Sequence, residues 1–306
     1  MKIAVVQDGP IYNNLNASIE KTCDFISDAA KENTDLIVFG ENWLSGYPVW
    51  LDICKDVNLW DHDPIKQVWS DMYVNSVDIL SNDLQKLQSL LRENKMHAVI
   101  GINEKVTSGK GNNTLYNSLL TINDSGEIVN HHRKLMPTYT EKLVHGLGDG
   151  KGLKSVDTPF GKLGGLICWE HWMPMARQTM HDASEDLHIG VWPFAKEMHH
   201  LASRHYAIEG RCHVVAVGQI MHKDELPTGL TISESIQLDE SNLILKGGSA
   251  IYDANGQPIV APIYNERTVI YKNLDLQSNL KERMNLSVSG HYQRPDIFKY
   301  SVNKER

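Results

Sequence analysis

The sequence predicts an α/β protein in which sheets with some antiparallel pairing are flanked by helices. Short apolar runs rich in β-branched residues alternate along the chain with segments whose apolar residues recur every three or four positions. Tight-turn signals at residues 123–126 and 253–256 each join two neighbouring runs, which is typical of hairpins. This mixture favours sheets with helices outside over a purely parallel sheet.

Nine strands are predicted, in chain order, at residues 3–6, 36–39, 98–102, 118–122, 163–169, 189–192, 214–218, 249–252 and 269–271. Two stripes with helical spacing lie between them: Leu15, Ile19, Cys23, Ile26 and Ala30, then Val77, Leu80, Leu84, Leu87 and Leu91. Each stripe is expected to cover one face of a sheet.

One large domain is predicted because no Pro-rich, Gly/Ser-rich or single-charge linker divides the chain. We place it at residues 1–290 and expect the polar residues 291–306 to form an extended tail. The 38 acidic side chains outnumber the 30 basic ones, giving a net charge of -8. This balance argues against nucleic-acid binding and against a polybasic membrane surface.

The four cysteines form no C-x-x-C pair, which argues against a zinc knuckle or a redox motif. The apolar run at residues 3–6 is too short for a secretion signal, and no run approaches the ~18 residues that span a bilayer. A cytoplasmic protein with reduced thiols is therefore expected.

A carboxylate follows the strand predicted at residues 36–39. Glu41 is flanked by Trp43 and Tyr47, and desolvation by such aromatic surfaces would raise its pKa and make it a usable general base. The alternative is that Glu41 caps a loop or pairs with a surface lysine.

A dense group of cations precedes Pro137. Among His132, Arg133 and Lys134, one side chain could stabilise a developing anion, and a buried lysine does so as a compact point charge. A solvated charged face is the alternative.

The strand predicted at residues 163–169 reaches Cys168, after which the chain turns toward a helix. A thiol on such a turn is exposed to substrate, and the positive end of the helix would lower its pKa. The alternative is that Cys168 is a small core residue, the role expected for Cys23, Cys54 and Cys212.

Together the three segments resemble the signature blocks of the nitrilase branch of the carbon-nitrogen hydrolase superfamily. The blocks stand in the family's order as FGENWLSGYP, HHRKLMPTYTEKLVHGLGDG and GGLICWEHWMP. The resemblance continues through KIAVVQ, AIEGRCHVVAVGQ, GGSAIYDANGQPIVAP and SGHYQRPDIF, so it covers nearly the whole chain. It implies a four-layer α-β-β-α sandwich.

The resemblance also implies a catalytic set of Glu41, Lys134 and Cys168, with Glu141 helping to position it. No cofactor or metal is implied, since carboxylate, ammonium and thiol supply the three roles. A homodimer or a larger homo-oligomer is expected from the family. The chain departs from the family pattern at Gly40, Lys142 and His145, which puts the inherited substrate preference in doubt.

Hydrolysis of an organic nitrile to the carboxylic acid and ammonia is the predicted activity. Early departure of the thiol would release an amide instead, and the sequence does not fix that balance. Four aromatic residues near the blocks are candidates for the substrate pocket: Tyr47, Trp169, Trp192 and Phe194. Their bulk favours arylaliphatic or medium aliphatic nitriles, although each could instead be a core aromatic.

Other interpretations account for fewer of these residues. Within the superfamily, an amidase or a carbamoyl-group hydrolase is the nearest alternative, and a catalytically silent scaffold is another. A papain-like pair of Cys168 and His171 would leave the glutamate and lysine blocks idle. The histidines near Cys212 do not match the spacing of known metal sites; they are His199, His200 and His205. The glycines within residues 146–152 favour a flexible loop at the mouth of the site over a phosphate-binding loop; they are Gly146, Gly148, Gly150 and Gly152.

Overall fold

The computed structural model describes residues 1–306 and contains thirteen strands and seven α-helices. The strands are β1 (Lys2–Gln7), β2 (Leu36–Val38), β3 (His97–Lys105), β4 (Leu115–Ile122), β5 (Ile128–Arg133), β6 (Val156–Thr158), β7 (Gly161–Ile167), β8 (Leu187–Val191), β9 (His213–Val217), β10 (Ile220–His222), β11 (Leu243–Tyr252), β12 (Pro258–Tyr264) and β13 (Thr268–Asn273). The helices are α1 (Leu15–Lys31), α2 (Trp50–Ile53), α3 (Asp63–Val74), α4 (Gln85–Asn94), α5 (Pro174–Asp182), α6 (Glu197–Gly210) and α7 (Asn279–Glu282).

The strands form two mixed sheets. The first has the order β13-β1-β2-β3-β4-β5, and the second has the order β10-β11-β9-β8-β7-β6 with β12 beside β11. Three central strands of each sheet run parallel, β1-β2-β3 in the first and β7-β8-β9 in the second. The strands outside these centres pair antiparallel, and both predicted hairpins, β4-β5 and β11-β12, are confirmed.

Alternation along the strands assigns each side chain to one of two apolar layers. In the first sheet, Val5 and Val99 belong to a core shared with the second sheet, whereas Val6 and Ile100 pack with α1 and α4. On the far side, side chains of α5 and α6 cover the second sheet. The layer order is therefore helix, sheet, sheet, helix, and the expected α-β-β-α sandwich is confirmed.

The first helical stripe is confirmed by α1, whose buried residues include Leu15, Ile19, Cys23 and Ile26. The second stripe is only partly right, because α4 begins at Gln85. Upstream of it, Leu80 is 90% exposed and the Val77 N–H donates to the Asn103 carbonyl oxygen at 2.8 Å.

A local turn replaces the first part of the predicted second helix. The Asp78 carboxylate accepts from the Leu80 N–H, and the Asp83 carboxylate accepts from the Asp78 N–H, each at 2.9 Å. Such side-chain acceptors compete with helical hydrogen bonds for the backbone donors.

The last residues, 291–306, contain no helix or strand and run over the surface. The Arg306 guanidinium ends this segment by pairing with Asp149 and donating to the His131 carbonyl oxygen. A domain boundary at residue 290 stays a prediction. None of the helices combines the length and the apolar character needed to cross a bilayer.

A buried leucine of β4 and an exposed leucine of the second stripe should differ in how much they contribute to stability. Leu119→Ala removes a buried side chain from the core between the sheets, and we expect it to lower the free energy of unfolding by about 2–5 kcal/mol. Leu80→Ala, at the exposed position, should change it by less than about 0.5 kcal/mol. Urea unfolding of both variants measures the difference, and a comparable loss in Leu80→Ala would contradict the fold described here.

Candidate active site

Three strand ends converge where the two sheets meet. Glu41 lies just beyond β2, Lys134 directly follows β5 in the same sheet, and Cys168 directly follows β7 in the other sheet. The Lys134 Nζ donates to Glu41 Oε1 at 2.8 Å. All three side chains are buried, with exposures of 0%, 1% and 4%. The structure thus brings the three sequence-predicted residues together.

Glu141 completes the charge cluster as a second carboxylate on the same lysine. Its Oε1 and Oε2 atoms accept from Lys134 Nζ at 2.9 and 2.7 Å. The short 3₁₀ helix Tyr139–Leu143 holds Glu141 in place, and the Thr138 N–H at its start donates to Oε2. The Tyr47 hydroxyl donates to Oε1 at 2.9 Å. Glu141 is therefore fixed from three sides.

One cation between two buried carboxylates leaves the cluster with a net negative charge when both are ionised. Burial and the nearby Glu141 charge raise the pKa of Glu41 to about 7, against the lowering effects of Lys134 and Asn117. Burial is the largest single influence on the pKa of Glu141 and acts to raise it, but the Lys134 charge and the smaller lowering contributions, among them the hydrogen bonds from Lys134 and the Thr138 N–H, together lower the pKa. Of the two carboxyls, Glu41 is therefore the one whose pKa lies near neutral pH.

The hydrogen bonds of Glu41 leave one oxygen open. Oε1 accepts from Asn117 Nδ2 at 2.7 Å as well as from Lys134, and the backbone carbonyl accepts from the Gln219 side chain. Oε2 has no hydrogen-bond partner. A buried carboxylate oxygen without a donor is a strong acceptor, so Glu41 is suited to removing a proton.

Cys168 occupies a sharp turn between β7 and the helical segments that follow. Its φ of 51° lies in the left-handed region, which is uncommon for non-glycine residues and, outside turns, is often found at active sites. The 3₁₀ helix Cys168–Trp172 starts at this residue, and α5 follows. The turn has the strand-to-helix geometry of a nucleophile elbow.

The expected lowering of the Cys168 pKa is wrong. Burial raises the pKa of this thiol well above its usual value of 9, and the Glu41 charge acts in the same direction. Lys134 and the Trp169 N–H lower it, but by less. The thiol is therefore protonated in the resting site and needs a base to become a nucleophile.

Glu170 is a site residue that the sequence did not identify. Its Oε1 accepts from the Leu135 N–H and its Oε2 from the Ile167 N–H, each at 2.7 Å, while His132 Nε2 approaches both oxygens. Glu170 thus ties the residue after Lys134 to the residue before Cys168. Its position inside the block GGLICWEHWMP was the only available signal.

A cavity of about 880 Å³ opens from the cluster, with Cys168 and Glu141 in its wall. Three of the four predicted pocket aromatics line it: Tyr47, Trp169 and Phe194. Trp192 does not, because its side chain is fully buried and stacks on His171 and His199, with ring centroids 4.7 Å away in each case. Trp172 lines the cavity instead.

Polar side chains interrupt the apolar walls, and they include Asp52, Lys142 and Lys196. Burial raises the pKa of Asp52, although its hydrogen bond with Thr140 opposes the shift. His145, another departure from the family pattern, is buried near Glu141 and does not line the cavity. Its Nε2 lies 3.0 Å from Asn103 Oδ1, and burial lowers its pKa to about 4, so it is neutral.

The alternative assignments for histidines and glycines do not fit the geometry. His171 Nδ1 lies 2.7 Å from the Cys168 carbonyl oxygen, so this ring is bonded to the backbone and not to the thiol. His199 accepts a hydrogen bond from the Lys196 N–H, and the His200 ring is hydrogen-bonded to the hydroxyls of Tyr252 and Tyr264. No group of three or more His, Cys, Asp or Glu side chains is placed to hold a metal ion. The Gly148 N–H donates to the Lys134 carbonyl oxygen, so the glycine loop supports that strand end.

A family model described as carbon-nitrogen hydrolase matches residues 2–279. The chain belongs to this family. An aliphatic nitrilase of Sinorhizobium fredii (strain HH103) is 30% identical over 305 residues, covering 99% of this chain and 96% of the relative. An arylacetonitrilase of Hypocrea virens (strain Gv29-8 / FGSC 10586) is 31% identical, covering 100% and 92%. The crystal structure of a carbon-nitrogen hydrolase from Helicobacter pylori G27 matches the fold with a TM-score of 0.71, at 20% identity over 97% of this chain and 96% of that one.

The charge cluster of this carbon-nitrogen hydrolase predicts a pH-dependent stability effect. Lys134→Met leaves two buried carboxylates without a cation, and we expect it to lower the free energy of unfolding by about 3–5 kcal/mol at pH 8. Without the cation, both carboxyl pKa values in the folded state rise above the unfolded value of about 4.3, so stability is lost as pH rises. The destabilisation should therefore be smaller at pH 5.

Denaturant unfolding at the two pH values measures this effect, with Lys142→Met as the matched control. Lys142 is the exposed lysine next to Glu141, so its substitution should leave stability nearly unchanged at both pH values. An equal loss in both variants, or a loss in Lys134→Met that does not change with pH, would contradict the proposed charge balance.

Proposed function

We propose that this carbon-nitrogen hydrolase converts an organic nitrile to the carboxylic acid and ammonia. The observation that carries the proposal is the buried Lys134, which bridges Glu41 and Glu141 beside the Cys168 elbow at one end of an apolar cavity. Relatives that match over nearly the whole chain carry the names aliphatic nitrilase and arylacetonitrilase, which supports a nitrile as the substrate.

In the first step, the Cys168 sulfur attacks the nitrile carbon while Glu41 removes the thiol proton and passes it to the nitrile nitrogen. A C–S bond forms and one C–N π bond breaks, which gives a neutral thioimidate. A thiol suits this step because a nitrile carbon is a weak electrophile. The open Oε2 of Glu41 and its pKa of about 7 support the role of general base.

In the second step, Glu41 activates a water molecule that adds to the thioimidate carbon. The tetrahedral species carries developing charge, and we assign its stabilisation to the Lys134 ammonium and the Trp169 N–H. Loss of ammonia leaves a thioester, and a second water releases the acid and restores the thiol. If the C–S bond breaks before ammonia leaves, the product is the amide.

The cavity walls support substrates with an apolar body. Trp169, Trp172 and Phe194 supply aromatic surface, and burial of such surface favours an aryl or alkyl group over a small ion. We therefore propose arylaliphatic or medium aliphatic nitriles. We further propose a cytoplasmic setting, which keeps the Cys168 thiol reduced, and a homodimer or larger homo-oligomer, as the family resemblance implies.

Ammonia release from a substrate panel tests the activity. Phenylacetonitrile and hexanenitrile should be turned over by the wild type, and Cys168→Ala should lower the rate by roughly 10⁴-fold or more because no other thiol reaches the substrate. Cys23→Ala, a buried cysteine in the outer apolar layer, should keep the rate within about twofold.

Trapping supplies the chemical identity of the intermediate. Intact-protein mass spectrometry should detect a thioimidate or thioester adduct on the wild type and none on Cys168→Ala. Turnover that survives Cys168→Ala would overturn the mechanism. If the wild type releases ammonia only from amides, the protein is better described as an amidase. If it acts only on inorganic cyanide, the proposed substrate class is contradicted. If it acts on no substrate in the panel, a catalytically silent scaffold is favoured.

The pKa of Glu41 predicts the acid side of the activity profile. Because the base must be ionised, kcat/KM should fall as pH drops below about 7. Asn117→Leu removes a hydrogen bond that lowers the pKa of Glu41, so the fall should begin at a higher pH. Ser118→Ala, a neighbouring substitution that affects Glu104 instead, should leave the profile in place. An unmoved acid limb in Asn117→Leu would argue against Glu41 as the base.

A further inference from the structure

A buried row of side chains behind Cys168 takes no part in the mechanism above. It starts at the Cys168 carbonyl oxygen, 2.7 Å from His171 Nδ1, and continues from His171 Nε2 to His188 Nε2 at 3.0 Å. His188 Nδ1 then lies 2.8 Å from Glu185 Oε1, and the Tyr206 hydroxyl donates to Glu185 Oε2. All four side chains are buried.

The carbonyl oxygen at one end fixes where every proton in the row lies. A carbonyl only accepts, so His171 Nδ1 must carry a hydrogen. Burial lowers the pKa of His171 to about 3, so the ring is neutral and its Nε2 is an acceptor. The facing His188 Nε2 must then donate, and a neutral His188 presents an acceptor Nδ1 to Glu185.

Glu185 must therefore hold the proton at the far end of the row. With Oε2 accepting from Tyr206, the hydrogen between Glu185 and His188 belongs to Oε1, which makes Glu185 an un-ionised carboxylic acid. Burial raises the pKa of Glu185 to about 8, in agreement with this hydrogen-bond assignment. Four hydrogen bonds then run in one direction with no unmatched donor or acceptor.

The two strands beneath the row leave space for it. A Cβ atom on Gly164 of β7 would lie 1.7 Å from Glu185 Oε1, and a Cβ on Gly190 of β8 would lie 2.9 Å from His171 Nε2. Gly164 pairs directly with His188 across the sheet. Glycine is unfavourable inside a strand, so its presence at both contacts indicates that the fold accommodates these polar side chains specifically.

We propose that His171, His188 and un-ionised Glu185 are positioning residues whose hydrogen bonds hold the Cys168–Trp169 peptide so that the Trp169 N–H faces the Cys168 sulfur. In a trans peptide the C=O and N–H point in opposite directions, so a donor on the Cys168 carbonyl fixes the direction of the Trp169 N–H. That N–H stabilises the thiolate and, in the proposed reaction, the tetrahedral species. The inference deepens the proposed function and rests on Cys168 as its nucleophile.

Loss of the Glu185 proton to solvent base would disrupt the row. His188 Nδ1 would then donate to the carboxylate, leaving Nε2 without a hydrogen and facing the bare Nε2 of His171. Other titratable or charged groups pack around the row from α5, α6 and the segments beside them: Glu170, Arg177, His181, Asp186, Glu209, Cys212 and Arg283. Of these, Arg177 and His181 are paired with Glu209, which does not join the row.

Alkylation of Cys168 by iodoacetamide tests the inference without a nitrile. Intact-protein mass spectrometry gives the rate for the wild type, His171→Phe, Glu185→Leu and Glu185→Gln, with Glu209→Gln as the control. We expect His171→Phe and Glu185→Leu to slow alkylation about tenfold at pH 7.5, since the thiolate loses a fixed N–H donor. Glu185→Gln should stay within twofold of the wild type because its amide donates to His188 as the acid does, and Glu209→Gln should also stay within twofold.

A pH series distinguishes positioning from a purely structural effect and remains decisive if the two disruptive variants fail to fold. Gln at position 185 cannot lose its proton, so the rate ratio of Glu185→Gln to wild type should rise above pH 8. A ratio that stays constant from pH 6 to 9.5 would overturn the proposal, as would folded His171→Phe and Glu185→Leu with rates within twofold of the wild type. If the wild type hydrolyses no nitrile but these alkylation effects are found, the proposed function fails and this inference stands.

Discussion

The buried ion bridge from Lys134 to Glu41 and Glu141 is the interaction on which the rest of the site depends. Three charges out of contact with water are tolerated only when nearly every lone pair and proton has a partner, so the bridge requires its surroundings to be complete. The Asn117 amide, the Tyr47 hydroxyl and the capped 3₁₀ helix meet that requirement. Of the four carboxylate oxygens, only Oε2 of Glu41 is left without a donor, and Glu41 is the group proposed to accept a proton.

The site takes its functional groups from both sheets. The first sheet supplies the acid and the cation at the ends of β2 and β5, and the second supplies the thiol after β7 and the Gln219 amide that holds the Glu41 backbone. Each group comes from a strand end and lies at the boundary between two apolar layers. The neighbouring cavity can then be lined with aromatic side chains while its reactive end remains polar.

Much of this arrangement was predictable from the sequence, because strand ends are marked by where apolar runs stop. Glu41 and Cys168 were singled out as candidates in this way, whereas the choice of Lys134 among its neighbouring cations, the role of Glu141 and the layer order came from the family resemblance. Features set by tertiary contacts were not predictable. Leu80 follows helical spacing, yet the aspartates around it take its backbone donors. The position of Trp192 outside the cavity wall and the raised pKa of Cys168 depend on how deeply each side chain is buried. Glu170 binds the nearby Ile167 N–H and also the Leu135 N–H, which lies 35 residues away in the sequence.

Glu170 links the two sheets at the level of single atoms. One of its oxygens holds the backbone next to Lys134 and the other holds the backbone next to Cys168, so the carboxylate acts as a fixed spacer between cation and nucleophile. The spacing between Lys134 and Cys168 therefore depends on how the two sheets are aligned, as well as on the hydrogen bonds within each sheet.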